Sequence, residues 1–174
     1  MKNYFVLILV LFTLNVSAQE EKKDYTKNVA TIDSTIATLY SVISGDKGVK
    51  RDWDLFKHLL KKDAKLIATN KNNKGENVIR YMSPDDYIST AGNWLVENGF
   101  HEVEISRKTQ TFGNMAHVFT TYQAFKSKDD TTPFMRGINS VQLFNDGKRW
   151  WIINIYWTQE SEENPIPEDY LPKE

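Results

Sequence analysis

Glu102, Glu104 and Tyr122 are the side chains of this sequence whose types and placing suit chemistry. The two glutamates alternate with His101, Val103 and Ile105 in a run of period two, so both carboxyls project from one face of a strand. Hairpin turns are read at Asp146-Gly147 and near Phe112 and Asp129. Counting from them puts Glu104 in a row with Thr120, Asn139 and Asn154, and Glu102 in the next row with Tyr122, Gly137 and Tyr156. A carboxylate beside a phenol is a proton-transfer pair: the acid moves the proton while the phenol donates to charge developing on oxygen. The plainer reading leaves both glutamates on an edge strand facing water, where charge discourages edge-to-edge pairing.

The same register opposes Leu143 to Trp150, Val141 to Ile152 and Asn139 to Asn154. One sheet face is then apolar at Val118, Val141, Leu143, Trp150 and Ile152 and polar at its far end. That is the make-up of a small-molecule pocket, with Tyr122, Asn139, Asn154, Tyr156 and Trp150 as the residues to hold a ligand. The other face would carry Arg107 beside His117, with Gln142, Arg136 and Trp157. Its mixed polar and aromatic surface suits a homodimer interface through Arg136, Gln142 and Trp157, with Arg136 stacked on Trp157. The three histidines do not converge, so no metal site is expected, and no cofactor is implied.

These rows need a scaffold, and its punctuation is legible. Val29, Ile32, Ile36, Leu39, Tyr40 and Ile43 lie on one face at helical spacing up to Gly45. Asp52 caps a second short helix with Trp53, Phe56, Leu59 and Leu60 on its buried side. Ala64 to Asn70 and Asn77 to Met82 read as two short strands around Asn72-Asn73-Lys74-Gly75. Ser83-Pro84-Asp85-Asp86 opens a third helix that Gly99 ends, with Tyr87, Ile88, Ala91, Trp94 and Leu95 as its stripe. From Phe100 the period is two, and four long strands follow, ending in the tryptophan-rich hairpin of Phe134 to Thr158. The prolines of Asn164 to Pro172 cannot join a sheet ladder, and Ile166, Tyr170 and Leu171 suggest that this tail docks on the body.

At 174 residues, 40% hydrophobic and 26% charged, the chain is long enough for one domain with its own core. Residues 1–18 have a lysine, the apolar run Tyr4 to Leu14 and the small-residue site Val16-Ser17-Ala18, the signature of a secretory signal peptide. The run is about half of the ~20 residues that a membrane-spanning helix needs, so no membrane association is expected after cleavage. The expectation is an exported protein, periplasmic or extracellular, with a flexible lead-in over 19–28 and one domain over 29–174. Without Lys2, the remainder holds 21 basic and 23 acidic groups, with no basic stripe for nucleic acid. Cysteine is absent, which excludes disulfides and thiol chemistry.

The order helix, helix, short hairpin, capped helix and long meander resembles the nuclear transport factor 2-like superfamily, which includes the SnoaL-like polyketide cyclases. The residues that carry the resemblance are Asp63-Ala64 before the first strand, Arg136-Gly137-Ile138-Asn139-Ser140, and Gly147 to Trp157. It implies an α+β fold, a curved antiparallel sheet wrapped into a cone by three helices around a pocket, often dimeric through the outer sheet face. Ketosteroid isomerase-like members place a catalytic acid at the position of Ala68 or Thr69. Many SnoaL-like chains carry His or Asp where this sequence has Asn154, Ile155 and Tyr156, so neither acid transfers here.

Three functions follow. The first is an exported domain that binds a small apolar ligand. The second is a cofactor-independent isomerase, cyclase or dehydratase using Glu104 or Glu102 with Tyr122. The third is a dimeric interaction module whose cavity is filled by Trp53, Trp94 and Trp150.

Overall fold

The structure is a computed structural model that describes residues 23–173. The signal-peptide expectation for 1–18 falls outside them. Within the lead-in, residues 23–28 are tied down rather than loose. The Tyr25 hydroxyl lies 3.1 Å from both oxygens of Asp52, Lys23 pairs with the same carboxylate at 2.8 Å, and Asn28 donates to Thr38 at 3.1 Å. Side-chain anchors spaced along a polar segment leave no periodic mark in the sequence.

Three α-helices begin where their caps direct. α1 (Ile32–Ile43) starts at a reciprocal Thr31–Ser34 capping box, α2 (Trp53–Leu59) at the Asp52 carboxylate, which accepts from Leu55 N, and α3 (Pro84–Asn98) at a Ser83–Asp86 box. Six strands, β1 (Leu60–Lys71), β2 (Asn77–Met82), β3 (His101–Phe112), β4 (Met115–Phe125), β5 (Met135–Asn145) and β6 (Trp150–Gln159), form one curved sheet of order β2-β1-β6-β5-β4-β3. The fold is α+β, as expected. Its sheet is antiparallel except where β1 lies parallel to β6, because β6 returns through the whole meander to the open edge of β1.

Thr120 faces Asn139 and Tyr122 faces Gly137, as the spacing of β4 and β5 predicts. The last hairpin differs. Its loop is four residues long, because Asp146 folds it back by accepting from the backbone of Lys148 and Arg149 at 3.0 Å and from Trp151 Nε1 at 2.7 Å. That moves the register by two, setting Leu143 opposite Ile152, and leaves the faces unchanged. A bulge at Ile153 then adds one residue, so that Val141 faces Ile155 and Asn139 faces Trp157. The β3–β4 turn at Gly113-Asn114 sets Arg107 opposite Thr120 and Gln110, not Arg107, opposite His117. A second bulge, at Ile105, then shifts the register by one, so that Glu104 faces Tyr122 and Glu102 faces Ala124 in place of the expected Thr120 and Tyr122.

The core lies between the inner sheet face and the helices. Ile36, Leu39, Tyr40 and Ile43 of α1 and Phe56 and Leu59 of α2 pack against Leu66, Val118, Val141, Leu143 and Ile152. Arg51, only 6% exposed, joins two helix ends by donating to the carbonyls of Ile43 (2.8 Å), Gly45 (2.7 Å) and Leu95 (3.0 Å). On the outer face the C-terminal tail crosses β4. Tyr170 packs on Phe119 with ring centroids 5.0 Å apart, its carbonyl accepts from Thr121 at 2.6 Å, and Ile166 is buried.

Candidate functional site

Between the three helices and the inner face of the sheet lies a cavity of about 230 Å³. Six of its sixteen lining residues are aromatic: Phe56, Tyr87, Trp94, Phe100, Tyr122 and Trp157. Helical spacing places Tyr87, Ala91, Trp94 and Leu95 along it, and strand alternation places Tyr122, Asn139, Ile155 and Trp157. Phe56 stacks on Tyr87 at 5.4 Å, and Tyr87 meets Trp157 edge to face at 6.5 Å. The polar lining is Glu102, Asn139 and Gln159 together with the two tyrosine hydroxyls. No lysine, arginine or histidine is among these lining residues.

Glu102 stands at the boundary between this cavity and a shallow groove shared by α1 and β3. It keeps some accessible surface on those two sides, yet its carboxyl is packed among protein atoms, and this burial pushes its pKa up to about 8. The Asn139 amide, 3.5 Å away, works in the other direction. Around it, the phenols of Tyr40, Tyr87 and Tyr122 are raised well above the usual tyrosine range, by burial first and then by the Glu102 charge.

Glu104 has a different setting, although it is only two residues away. The Arg107 fork donates to both of its oxygens, at 2.7 and 2.5 Å, and Thr120 Oγ1 donates to Oε1. Since the Thr120 proton is engaged there, the Tyr40 hydroxyl must be the donor in its 3.1 Å contact with Thr120, and it accepts in turn from Asn139 Nδ2 at 3.1 Å. A directional chain, Asn139 to Tyr40 to Thr120 to Glu104, thus joins the two acids. It ends on a carboxylate already neutralised by Arg107.

Tyr122 needs Gly137. A Cβ on Gly137 would lie 2.6 Å from the Tyr122 hydroxyl oxygen, so only glycine lets the ring lie across the neighbouring strand. Glu102, Tyr122 and Asn139 are therefore brought together on the cavity wall, while Glu104 is turned into an ion pair away from it.

Other expected site residues lie elsewhere. Asn154 and Tyr156 fall beyond the Ile153 bulge, opposite Gln142 and Ser140, on the outer face. Trp150 packs against the core but does not line the cavity, and neither does Trp53, whose indole lies against Gly92. Of the three tryptophans expected to fill the space, only Trp94 lines it. The bulge also turns Trp157 inward, so it leaves the proposed dimer face, and Arg136 does not stack on it. Arg136 Nε instead lies 3.2 Å from Glu160, off the line of a hydrogen bond. The structure adds Tyr40, Tyr87 and Gln159 to the site and brings Trp157 to it from the face expected to pair. The two tyrosines had a signal, a hydroxyl-bearing ring within an otherwise apolar helical stripe, whereas the bulge that places Trp157 had none.

No family model matches the chain, and no curated protein matches it significantly in sequence. Solved structures do match in fold. A cystatin-like protein of unknown function from Nostoc punctiforme aligns over 75% of this chain and 90% of its own with TM-score 0.57 and 11% identity. A nuclear transport factor 2-like protein of unknown function from Silicibacter pomeroyi aligns over 79% and 100%, with TM-score 0.55 and 12% identity. A protein named, provisionally, as a ketosteroid isomerase from Parabacteroides distasonis aligns over 79% and 98%, with TM-score 0.52 and 12% identity. The class is thus the nuclear transport factor 2-like, or cystatin-like, fold. At such identities the likeness reaches the scaffold and stops short of activity.

Proposed function

We propose that this chain is a small-molecule-binding domain. Its ligand is compact and largely apolar, and it lies in the cavity with one polar group at Glu102, Asn139 and Tyr122. The observation that carries this reading is the position of Glu102: a carboxyl buried at one end of an aromatic-lined space, with no protein cation beside it. A structural carboxylate would be paired, as Glu104 is. The test is thermal unfolding with a panel of small aromatic and alicyclic compounds, beside an Ala91→Trp variant that fills the cavity. Ligands should raise the melting temperature of the native protein by mass action and leave the folded variant unmoved. Equal shifts in both would overturn the reading.

A second reading, proton transfer by Glu102 with Tyr122, is favoured by a carboxyl that titrates close to neutrality, where an acid can both give and take a proton. The fold-level likeness to a provisionally named ketosteroid isomerase agrees with it by analogy. Glu104 has no part in it, being held by Arg107. Exchange of α-hydrogens of small ketones in heavy water, lost in Glu102→Gln, is the assay; no exchange with any ketone bound in the cavity would leave a binding protein.

We also propose export to the periplasm or beyond and pairing with a second copy. The partner surface is the part of the outer face that the tail leaves open, where Ile79, Tyr81 and Tyr156 are exposed, with Gln142 at its side. Cell fractionation and light scattering of the purified protein test the two. A retained cytosolic protein, or a monomer at high concentration, would refute them respectively.

A further inference from the structure

The polar end of the cavity carries one ionisable carboxyl, Glu102, and no lysine, arginine or histidine. Both amide hydrogens of Asn139 are committed, one to the Tyr40 hydroxyl at 3.1 Å and the other towards Glu102 at 3.5 Å. What remains is the Glu102 carboxyl, which as a carboxylate only accepts, beside the Gln159 carboxamide and the Tyr87 and Tyr122 hydroxyls, which can turn to donate or to accept. Aromatic rings make up much of the remaining wall, and a ring face is negative, attracting a cation and offering little to a carbonyl oxygen. The nearest protein cation on β3, Arg107, is occupied by Glu104 and Asp33.

We propose that the ligand is an organic amine bound as its ammonium ion, paired with Glu102 while its hydrocarbon body lies against Trp94, Phe100, Tyr122 and Trp157. This rests on the reading of the cavity as a binding site and specifies what that site selects. An ammonium supplies hydrogen-bond donors to the Glu102 carboxylate and the positive charge that this unpaired group lacks, so the pair enters the low-dielectric space with no net charge.

The proposal fixes a pH signature. Glu102 in the free protein holds its proton up to about pH 8, and binding an ammonium requires that proton to leave. Amine affinity therefore rises by about tenfold per pH unit towards pH 8 and levels off above it, with one proton released per amine bound below that point. The groups that face Glu102 from neighbouring elements are Tyr40 of α1, Tyr87 of α3, Tyr122 of β4 and the uncharged Asn139 of β5. On its own strand stands Glu104, paired with Arg107. The three phenols stay neutral over this range. An uncharged ligand accepting from protonated Glu102 gives the opposite profile, flat below pH 8 and weakening above it.

The experiment is calorimetric titration of the purified protein with phenethylamine and its uncharged counterpart phenethyl alcohol, at about pH 6, 7 and 8.5, in buffers of different ionisation enthalpy to count protons. At the highest pH the amine should bind roughly tenfold or more tightly than the alcohol, as befits a charge-assisted contact. Glu102→Gln, which keeps shape and removes charge, should weaken the amine by about tenfold or more at that pH and erase its preference over the alcohol. Alcohol binding equal to or better than amine binding, or an amine preference that survives Glu102→Gln, overturns the proposal and leaves the cavity reading in place. If neither compound, nor ethylbenzene, binds the native protein, the cavity reading falls and takes the amine with it.

Discussion

Arg107 grips Glu104 with both arms of its guanidinium, at 2.7 and 2.5 Å, although residues three apart on a regular strand point to opposite faces. The Ile105 bulge makes the contact. It absorbs one residue and returns Arg107 to the face from which Glu104 projects. That exchange separates two acids that look alike in the sequence: Glu104 is neutralised at the rim, and Glu102 is left alone at the cavity.

The pair should be energetically coupled. Arg107→Met strands a half-buried carboxylate with Thr120 as its remaining close donor, and the expected loss is about 1–3 kcal/mol at neutral pH. Adding Glu104→Gln should recover part of it, so a double-mutant cycle by urea denaturation should give a coupling of about 1 kcal/mol. Strict additivity would mean that the fork contributes nothing to stability.

Glu102 gives stability a pH dependence of unusual sign. Folded, it keeps its proton to about pH 8, whereas in an unfolded chain a glutamate loses it near ~4.3. Between those values the native state binds more protons, so this group's contribution falls as pH rises across the window and is constant above it. Glu102→Gln should match the native protein near pH 4 and exceed it by roughly 3–5 kcal/mol above pH 8. The difference between the two denaturation midpoints across that range is the measurement. A difference that does not change with pH would place the carboxyl in contact with water.

Gly137 should resist substitution even by alanine. The added Cβ would lie 2.5 Å from the Thr158 carbonyl oxygen and 2.6 Å from the Tyr122 hydroxyl oxygen, and the first of these is backbone that cannot swing aside. A loss of about 1–3 kcal/mol, read from thermal or urea unfolding, is expected from such overpacking. An unchanged midpoint would mean that β5 and β6 can separate there at little cost.

Side chains on the outer face should not affect the cavity. Asn154→Ala and Tyr156→Phe should leave ligand affinity unchanged within about twofold, whereas Tyr122→Phe should weaken ligands with a polar group by about 0.5–1.5 kcal/mol, the worth of one hydrogen bond. Comparative titration of the three variants decides it. A large effect at Asn154 would require the β6 register without the bulge.

The sequence by itself determined most of the scaffold, for local reasons. Ser83-Pro84 and Asp52 start helices because their side chains or rings satisfy the first turn, and the stripes of α1 and α3 repeat at the period that buries one helix face. Strand alternation set Glu102, Tyr122 and Asn139 on a common face, and the structure keeps them together. What only the tertiary structure decided was the content of the other rows. A bulge inserts one residue through the fit of two strands, without a residue type that announces it, and every side chain beyond it changes face. Ile153 thereby exchanged Asn154 and Tyr156 for Ile155 and Trp157 at the cavity, and Ile105 supplied Glu104 with Arg107. The space left between the helices and the sheet, and the desolvation that keeps Glu102 protonated near neutral pH, depend on packing among residues distant in the chain. Spacing along a single segment does not encode them.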